Sequence, residues 1–323
     1  MKKMSDILSE LFSLTEFMYN KTIITSKSIG VFNVASKALN DENNKMRENI
    51  IGAILNNKVP SDYYIINTWL NMKKAVFRYI ALLTDQRPYT KVECVHKAGR
   101  KYNYDFALTL FYPDNTTEPF KLELKFNAAS IDDTPQFVSP MKPSQYMTKS
   151  YEEYYYDNYL PKLTETALGL ELPSKDVYLK QIHSNKPKCM KTHQDLYYRG
   201  CARSSQFTNK AEDVAFYESA KAMTNESIST FIDTTDLDIK LLSTYLLVSQ
   251  KDKIYMLYSN NDFTRQTVCQ DDYIIESVVK NPEKFRYECV SKSGKKINIL
   301  LRWKNGNGIA FPAFQISGSG TTR

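Results

Sequence analysis

Apolar and polar positions change rhythm along this chain, and each change marks a different kind of element. Over Ser5 to about Tyr19, about Val31 to Asn56 and Ser61 to about Leu83 the apolar positions recur at helical spacing, and Pro60-Ser61 gives the third stretch a clear start. Thr84 to Pro88 ends it. From Lys91 to His96 the period shortens to two, and after a Lys97-Ala98-Gly99-Arg100 turn two further strands follow. In the first, Tyr104, Phe106, Leu108 and Leu110 alternate with Asp105, Ala107 and Thr109. In the second, Leu122, Leu124 and Phe126 alternate with Lys121, Glu123 and Lys125, giving one packed face and one polar face. Tyr112-Pro113-Asp114-Asn115-Thr116 joins them, with Pro113 fixing φ and Asp114 and Asn115 forming local turns.

A hairpin centred on Asp114 pairs residues equidistant from it, and Asp105 and Glu123 are equidistant. That register sets two carboxylates opposite each other, with Cβ atoms roughly 4.5–5.5 Å apart. Like charges so placed are destabilising unless something positive lies between them. Mg²⁺ is the usual cation for a pair of carboxylates that must also hold phosphate. A slip of one residue would undo the arrangement.

At Asp105 and Glu123-Leu124-Lys125, across roughly residues 85 to 140, the chain resembles the PD-(D/E)xK nuclease superfamily. The resemblance implies an α/β fold of the α+β type, restriction-endonuclease-like, with a mixed central sheet flanked by helices. It implies that Asp105 and Glu123 ligate a divalent metal, Mg²⁺ with Mn²⁺ as substitute, and that Lys125 positions or polarises the attacking water. Tyr104 stands where the family has Pro, a position at which relatives often depart. Many members add an acid from a preceding helix, for which Glu48 is the candidate. The chemistry suits the residue types. A metal lowers the pKa of water and neutralises phosphate, and an ammonium stabilises nucleophile and developing charge.

Beyond the Glu-x-Lys strand, Asn127 to Pro143 reads as a polar loop, with Gln136 a candidate substrate contact. A Tyr-rich segment follows (Tyr146, Tyr151, Tyr154, Tyr155, Tyr156, Tyr159). It reads as a helix whose rings pack, or as a platform for bases. The expected organisation is an N-terminal helical region (1–85), catalytic strands and following helix (86–160), an inserted or recognition segment (161–240) and C-terminal strands from 241 to 323, starting at Lys253–Tyr258, that complete the same sheet. Glu93 to Asn103 is echoed by Glu288 to Asn298, with Leu300 where Asp105 would be, so the echo holds no second site. Arg302-Trp303-Lys304-Asn305-Gly306-Asn307-Gly308 combines basic, aromatic and turn residues suited to a groove contact, or is an ordinary Asn-Gly hairpin turn.

Composition adds less. The chain has 323 residues, is 42% hydrophobic, and carries a net charge of +7 from 43 Lys+Arg against 36 Asp+Glu, an excess compatible with nucleic acid. Two basic segments are candidate phosphate contacts, one with Lys186, Lys188, Lys191 and Arg199, the other with Lys295, Lys296, Arg302 and Lys304. No apolar run spans a membrane, and Met1 to Phe12 reads as an amphipathic helix capped at Ser5 rather than a leader. Five scattered cysteines point to a reducing, intracellular setting, cytoplasmic or nuclear. His183, Cys189, His193 and Cys201 are zinc-competent, though at no standard finger spacing. P-loop, dinucleotide, His-Glu-x-x-His and nucleophile-elbow motifs are absent. The expectation is an Mg²⁺-dependent endonuclease of double-stranded DNA, for which cutting two strands with one site per chain favours a homodimer. A repair, recombination or RNA-directed nuclease, or a non-catalytic nucleic-acid-binding protein, stays open.

Overall fold

In the computed structural model, which describes residues 16–34, 39–97, 102–133 and 142–318, Asn20 and Lys21 both take positive φ (46° and 62°) and turn the chain back on itself. Phe17–Tyr19 (β1) thereby pairs antiparallel with Thr22–Ile24 (β2). The helix expected over Ser5 to Tyr19 therefore does not reach Tyr19, because a two-residue turn with φ > 0 at both positions favours a hairpin. Its start, with the Ser5 cap, lies outside the described residues. The next two helices are shorter than the apolar spacing suggested. Asn40–Leu55 (α1) follows a 3₁₀ segment at Ser26–Asn33, and Asn67–Leu83 (α2) follows another at Ser61–Ile65, where extended Ile66 interrupts the helical path.

Arg47 secures the entry to α1. Its side chain is buried, donates to the carbonyls of Val31 (3.0 and 2.7 Å) and Val34 (2.6 Å) and to Asn44 Oδ1 (2.6 Å), and stacks over the Phe126 ring at 3.4 Å. A planar fork of donors meets these acceptors together, which lysine could not do.

Two compact units divide the chain, Met1–Thr134 with Gln250–Val268, and Pro135–Ser249 with Cys269–Arg323. In the first, five strands lie in sequence order: Lys91–His96 (β3), Phe106–Phe111 (β4), Thr117–Phe126 (β5), Lys253–Ser259 (β6) and Asp262–Thr267 (β7). Every neighbour pair is antiparallel except β5 and β6, which run parallel. One face packs on the helices. Phe106, Leu108, Leu110, Leu122 and Met256 meet Ile50 and Ile54 of α1 and Trp69, Val76 and Tyr79 of α2. Each such side chain contributes roughly 1.5–3 kcal/mol when fully buried. Asn56, capping α1, pairs with the β3 edge like a strand residue, giving Nδ2 to the Cys94 carbonyl (2.7 Å) and accepting the Cys94 N–H (2.9 Å).

The second unit is helical at first: Tyr151–Asn158 (α3), Leu160–Glu165 (α4), Lys175–Gln181 (α5), Lys191–Gly200 (α6), Ala211–Thr234 (α7) and Ile239–Gln250 (α8), the last leading back into the first unit. It ends in a four-stranded antiparallel sheet of Ile275–Asn281 (β8), Arg286–Ser291 (β9), Lys296–Trp303 (β10) and Pro312–Gly318 (β11). The C-terminal strands thus do not all complete the first sheet. Only β6 and β7 do, and the rest build their own, because β9 and β10 close on each other through the Gly294 turn (φ 83°). The segment spelled between β5 and β6 is also longer than the expected 161–240. Among the described residues no helix is long and apolar enough to cross a membrane.

Candidate active site

The β4–β5 register pairs Phe106 with Leu122 and Ala107 with Lys121, and it ends there, with Asp105 just before the ladder on the side of Glu123 and not paired to it as a strand residue. The hairpin loop that sets this register turns at Asn115 (φ 62°), and Asp114 Oδ1 accepts the Thr116 N–H at 3.1 Å. Asp105 sits in the bend before β4, tied on all sides. Its N–H donates to the Leu122 carbonyl (2.9 Å), its carbonyl accepts from Lys97 (2.7 Å), and its Oδ2 accepts from the Leu124 N–H (2.7 Å). The carboxylate therefore supplies the acceptor for the next rung of the ladder.

Glu123 is held by two ammoniums. Lys125 Nζ lies 2.6 Å from Oε1, and Lys253 Nζ, from β6, lies 3.6 Å from Oε2. A third acid approaches from α1: Glu48 Oε2 meets His96 Nε2 at 2.6 Å. Asn20 Nδ2 lies 3.3 Å from His96 Nδ1, an arrangement that suits the tautomer with its proton on Nε2, donated to Glu48.

The electrostatics follow from burial and crowding. Burial raises the Asp105 carboxyl well above the usual range, and Glu123 and then Glu48 push it further. Burial alone would raise Glu123 as well, but Lys125 and then Lys253 hold it below the ordinary carboxylate value. Lys125 is favoured as a cation by Glu123 and Asp105 despite its burial. Lys253 is pushed down, first by burial and also by Lys125.

Among the described residues no group of three or more His, Cys, Asp and Glu lies close enough to hold a metal by itself. Mg²⁺ asks for less, since it is commonly held by one or two carboxylates with water and substrate phosphate completing its shell. Asp105 and Glu123 fit that description as hard oxygen donors. Asp105 is a half-buried acid pressed by two others, with one backbone N–H and Lys125 to offset them.

The remaining expectations fare unevenly. Gln136 lies outside the described residues. The four zinc-competent residues are not brought together. His183 pairs with Glu152 at 2.9 Å, His193 is buried against Thr164 Oγ1 at 3.1 Å, Cys189 Sγ is 4.0 Å from the Val177 carbonyl, and Cys201 is half-buried at the end of α6. Several basic candidates already face acids or amides of their own unit: Lys191 with Asp195 (2.6 Å), Arg199 with Asp213 (3.1 Å), Lys295 with Asp272 (3.3 Å) and Arg302 with Gln315 (2.6 Å). Lys304 lies over the Phe311 ring at 5.3 Å, while Lys186, Lys188 and Lys296 are exposed. Trp303 is buried and gives its indole N–H to Tyr151 Oη (3.0 Å), so it is not free to enter a groove. Tyr151, Tyr155 and Tyr159 likewise pack within their unit, against Trp303, Phe231 and one another, instead of offering a stacking platform.

Two residues of the cluster escaped the sequence reading. Lys253 opens an apolar strand and carries no local mark of burial beside an acid. His96 had a usable signal, since it pairs with Phe106, the residue after Asp105, once β3 and β4 are taken as a hairpin. No family model matches this chain, and no curated protein or solved structure matches it either.

Proposed function

We propose that the chain is an Mg²⁺-dependent endonuclease of restriction-endonuclease-like fold that hydrolyses phosphodiester bonds of double-stranded DNA. The observation that carries the proposal is the cluster of Asp105, Glu123 and Lys125 at the end of one hairpin, with Glu48 approaching from the preceding helix. The order of helix, three-stranded meander and mixed sheet in the first unit agrees with the fold that the Asp…Glu-x-Lys pattern resembles.

Each residue then has a task. Asp105 and Glu123 would hold the metal, whose chemistry is to acidify water and neutralise the phosphate. Lys125, kept charged by its two acids, holds an ammonium where an attacking oxygen and the phosphoryl charge need one. The Leu124 N–H holds the Asp105 carboxylate and the Lys97 N–H its backbone carbonyl, so that this carboxylate does not reorient during the reaction.

The test is to incubate the purified protein with plasmid DNA, single-stranded DNA and RNA in Mg²⁺, beside Glu123→Gln and Lys125→Met proteins shown to melt normally. Double-stranded DNA is expected to be cut, and both variants are expected to lose at least about 10²-fold in rate. Cutting that survives both substitutions overturns the site. Preferential cutting of RNA or single strands reassigns the substrate, and DNA binding without cleavage of any substrate favours a non-catalytic binder.

A further inference from the structure

Lys253 is the most buried cation of the cluster, its side chain 4% exposed, and it comes from the far side of the inserted segment. The parallel β5–β6 register sets Lys253 beside Lys121 and Tyr255 beside Glu123, which brings Nζ to Glu123 Oε2 while Lys125 occupies Oε1. A simple ion pair would be complete with Lys125. A second ammonium, more buried than the first, adds desolvation and repels it, while Glu123 and Asp105 favour it as a cation. Asp105, Glu123 and Glu48 outnumber Lys125 and Lys253 by one formal negative charge, since His96 meets Glu48 as a neutral ring.

Resting on the nuclease reading above, we infer that Lys253 is a positioning residue that makes binding of the divalent metal and of the phosphodiester mutually dependent. A divalent cation added to this half-buried cluster leaves it with a net positive charge beside the buried Lys253, which is unfavourable there. An anionic phosphodiester restores neutrality, so the site is charge-matched to the complex of metal and substrate and not to metal alone. By linkage, whatever the phosphate does for the metal, the metal does equally for the phosphate. Without the charge of Lys253, metal alone is held more tightly and the reacting complex less well.

The experiment measures Mn²⁺ binding to the full chain by electron paramagnetic resonance, without DNA, and plasmid cleavage in parallel, for wild type, Lys253→Gln, Lys253→Met and Lys253→Arg. Gln keeps a donor to Glu123 without charge, Met keeps the unbranched stem, and Arg keeps the charge. The uncharged variants are expected to bind Mn²⁺ about tenfold more tightly and to cleave about tenfold more slowly, while Arg stays near wild type in both. Movement in opposite directions separates this role from mere support of Glu123, whose loss would weaken metal binding by about 10–100-fold. Uncharged variants that melt like wild type but bind Mn²⁺ equally or less well overturn the inference, even if wild type cuts DNA through Asp105 and Glu123. A wild-type protein that neither binds Mn²⁺ nor cuts removes the nuclease reading itself, and the inference with it.

Discussion

His96 and Glu48 meet at 2.6 Å across 48 positions of sequence, joining the end of β3 to the middle of α1. The pairing holds the helix acid at the rim of the Asp105–Glu123 cluster, close enough for its charge to raise Asp105. Replacing Glu48 by Gln keeps an acceptor for His96 and removes the charge. The expected result is a cleavage rate about tenfold lower at limiting Mg²⁺ that recovers as Mn²⁺ is raised, read from the metal dependence of plasmid nicking. A metal curve that superimposes on wild type removes Glu48 from the site.

Asp105 is held at a cost to the fold. Burial comes first and the neighbouring acids second, and both raise its carboxyl, so its stabilising contribution belongs to low pH and is lost as pH rises through the raised value. An ionised Asp105 at neutral pH weighs against folding. Asp105→Asn keeps an oxygen for the Leu124 N–H and removes the repulsion. The variant is expected to be about 0.5–2 kcal/mol more stable by urea titration, and inactive. A less stable Asn variant would mean that Lys125 and its surroundings need this charge for folding.

His193 gives the second unit an acid-sensitive point. It is 1% exposed beside Thr164, and burial pushes its imidazole from 6.5 down to about 4. Above about pH 6.5 neither folded nor unfolded chain binds a proton there, and stability is full. As pH falls from 6.5 to about 4 the unfolded chain takes up a proton that the folded one refuses, for a loss of about 3 kcal/mol that levels off below. Urea midpoints measured from neutral pH downward are expected to show this slope, and His193→Gln to flatten it. An equal slope in the variant assigns the acid sensitivity elsewhere.

The Asp105–Glu123 hairpin was readable because both strands alternate strictly and one short loop fixes their offset. Apolar Phe106, Leu108 and Leu122 could face only the helices, which left Asp105 and Glu123 one side to share. Lys253 was not readable, since its partner lies on another strand and the pairing depends on a parallel alignment that no local pattern records. The β1–β2 hairpin was lost for a different reason. Asn20 and Lys21 form its turn, yet the flanking strands have three residues each, too short for alternation to outweigh helical spacing. The zinc-competent quartet shows the opposite failure, because nearness in sequence was spent on separate partners, Glu152 for His183 and Thr164 for His193.

The whole of Pro135–Ser249 is spelled between β5 and its parallel neighbour β6, and this gives the protein a timetable. A chain leaving the ribosome can close the β3–β5 meander early, since those contacts are local, whereas the β5–β6 pairing must wait for more than a hundred further residues to be synthesised. During that interval Glu123 has Lys125 but not Lys253, and β5 stands as an open edge that invites other strands. The last cation of the cluster is therefore delivered by translation itself, and the nascent chain carries an unfinished site past every template it meets until β6 is made.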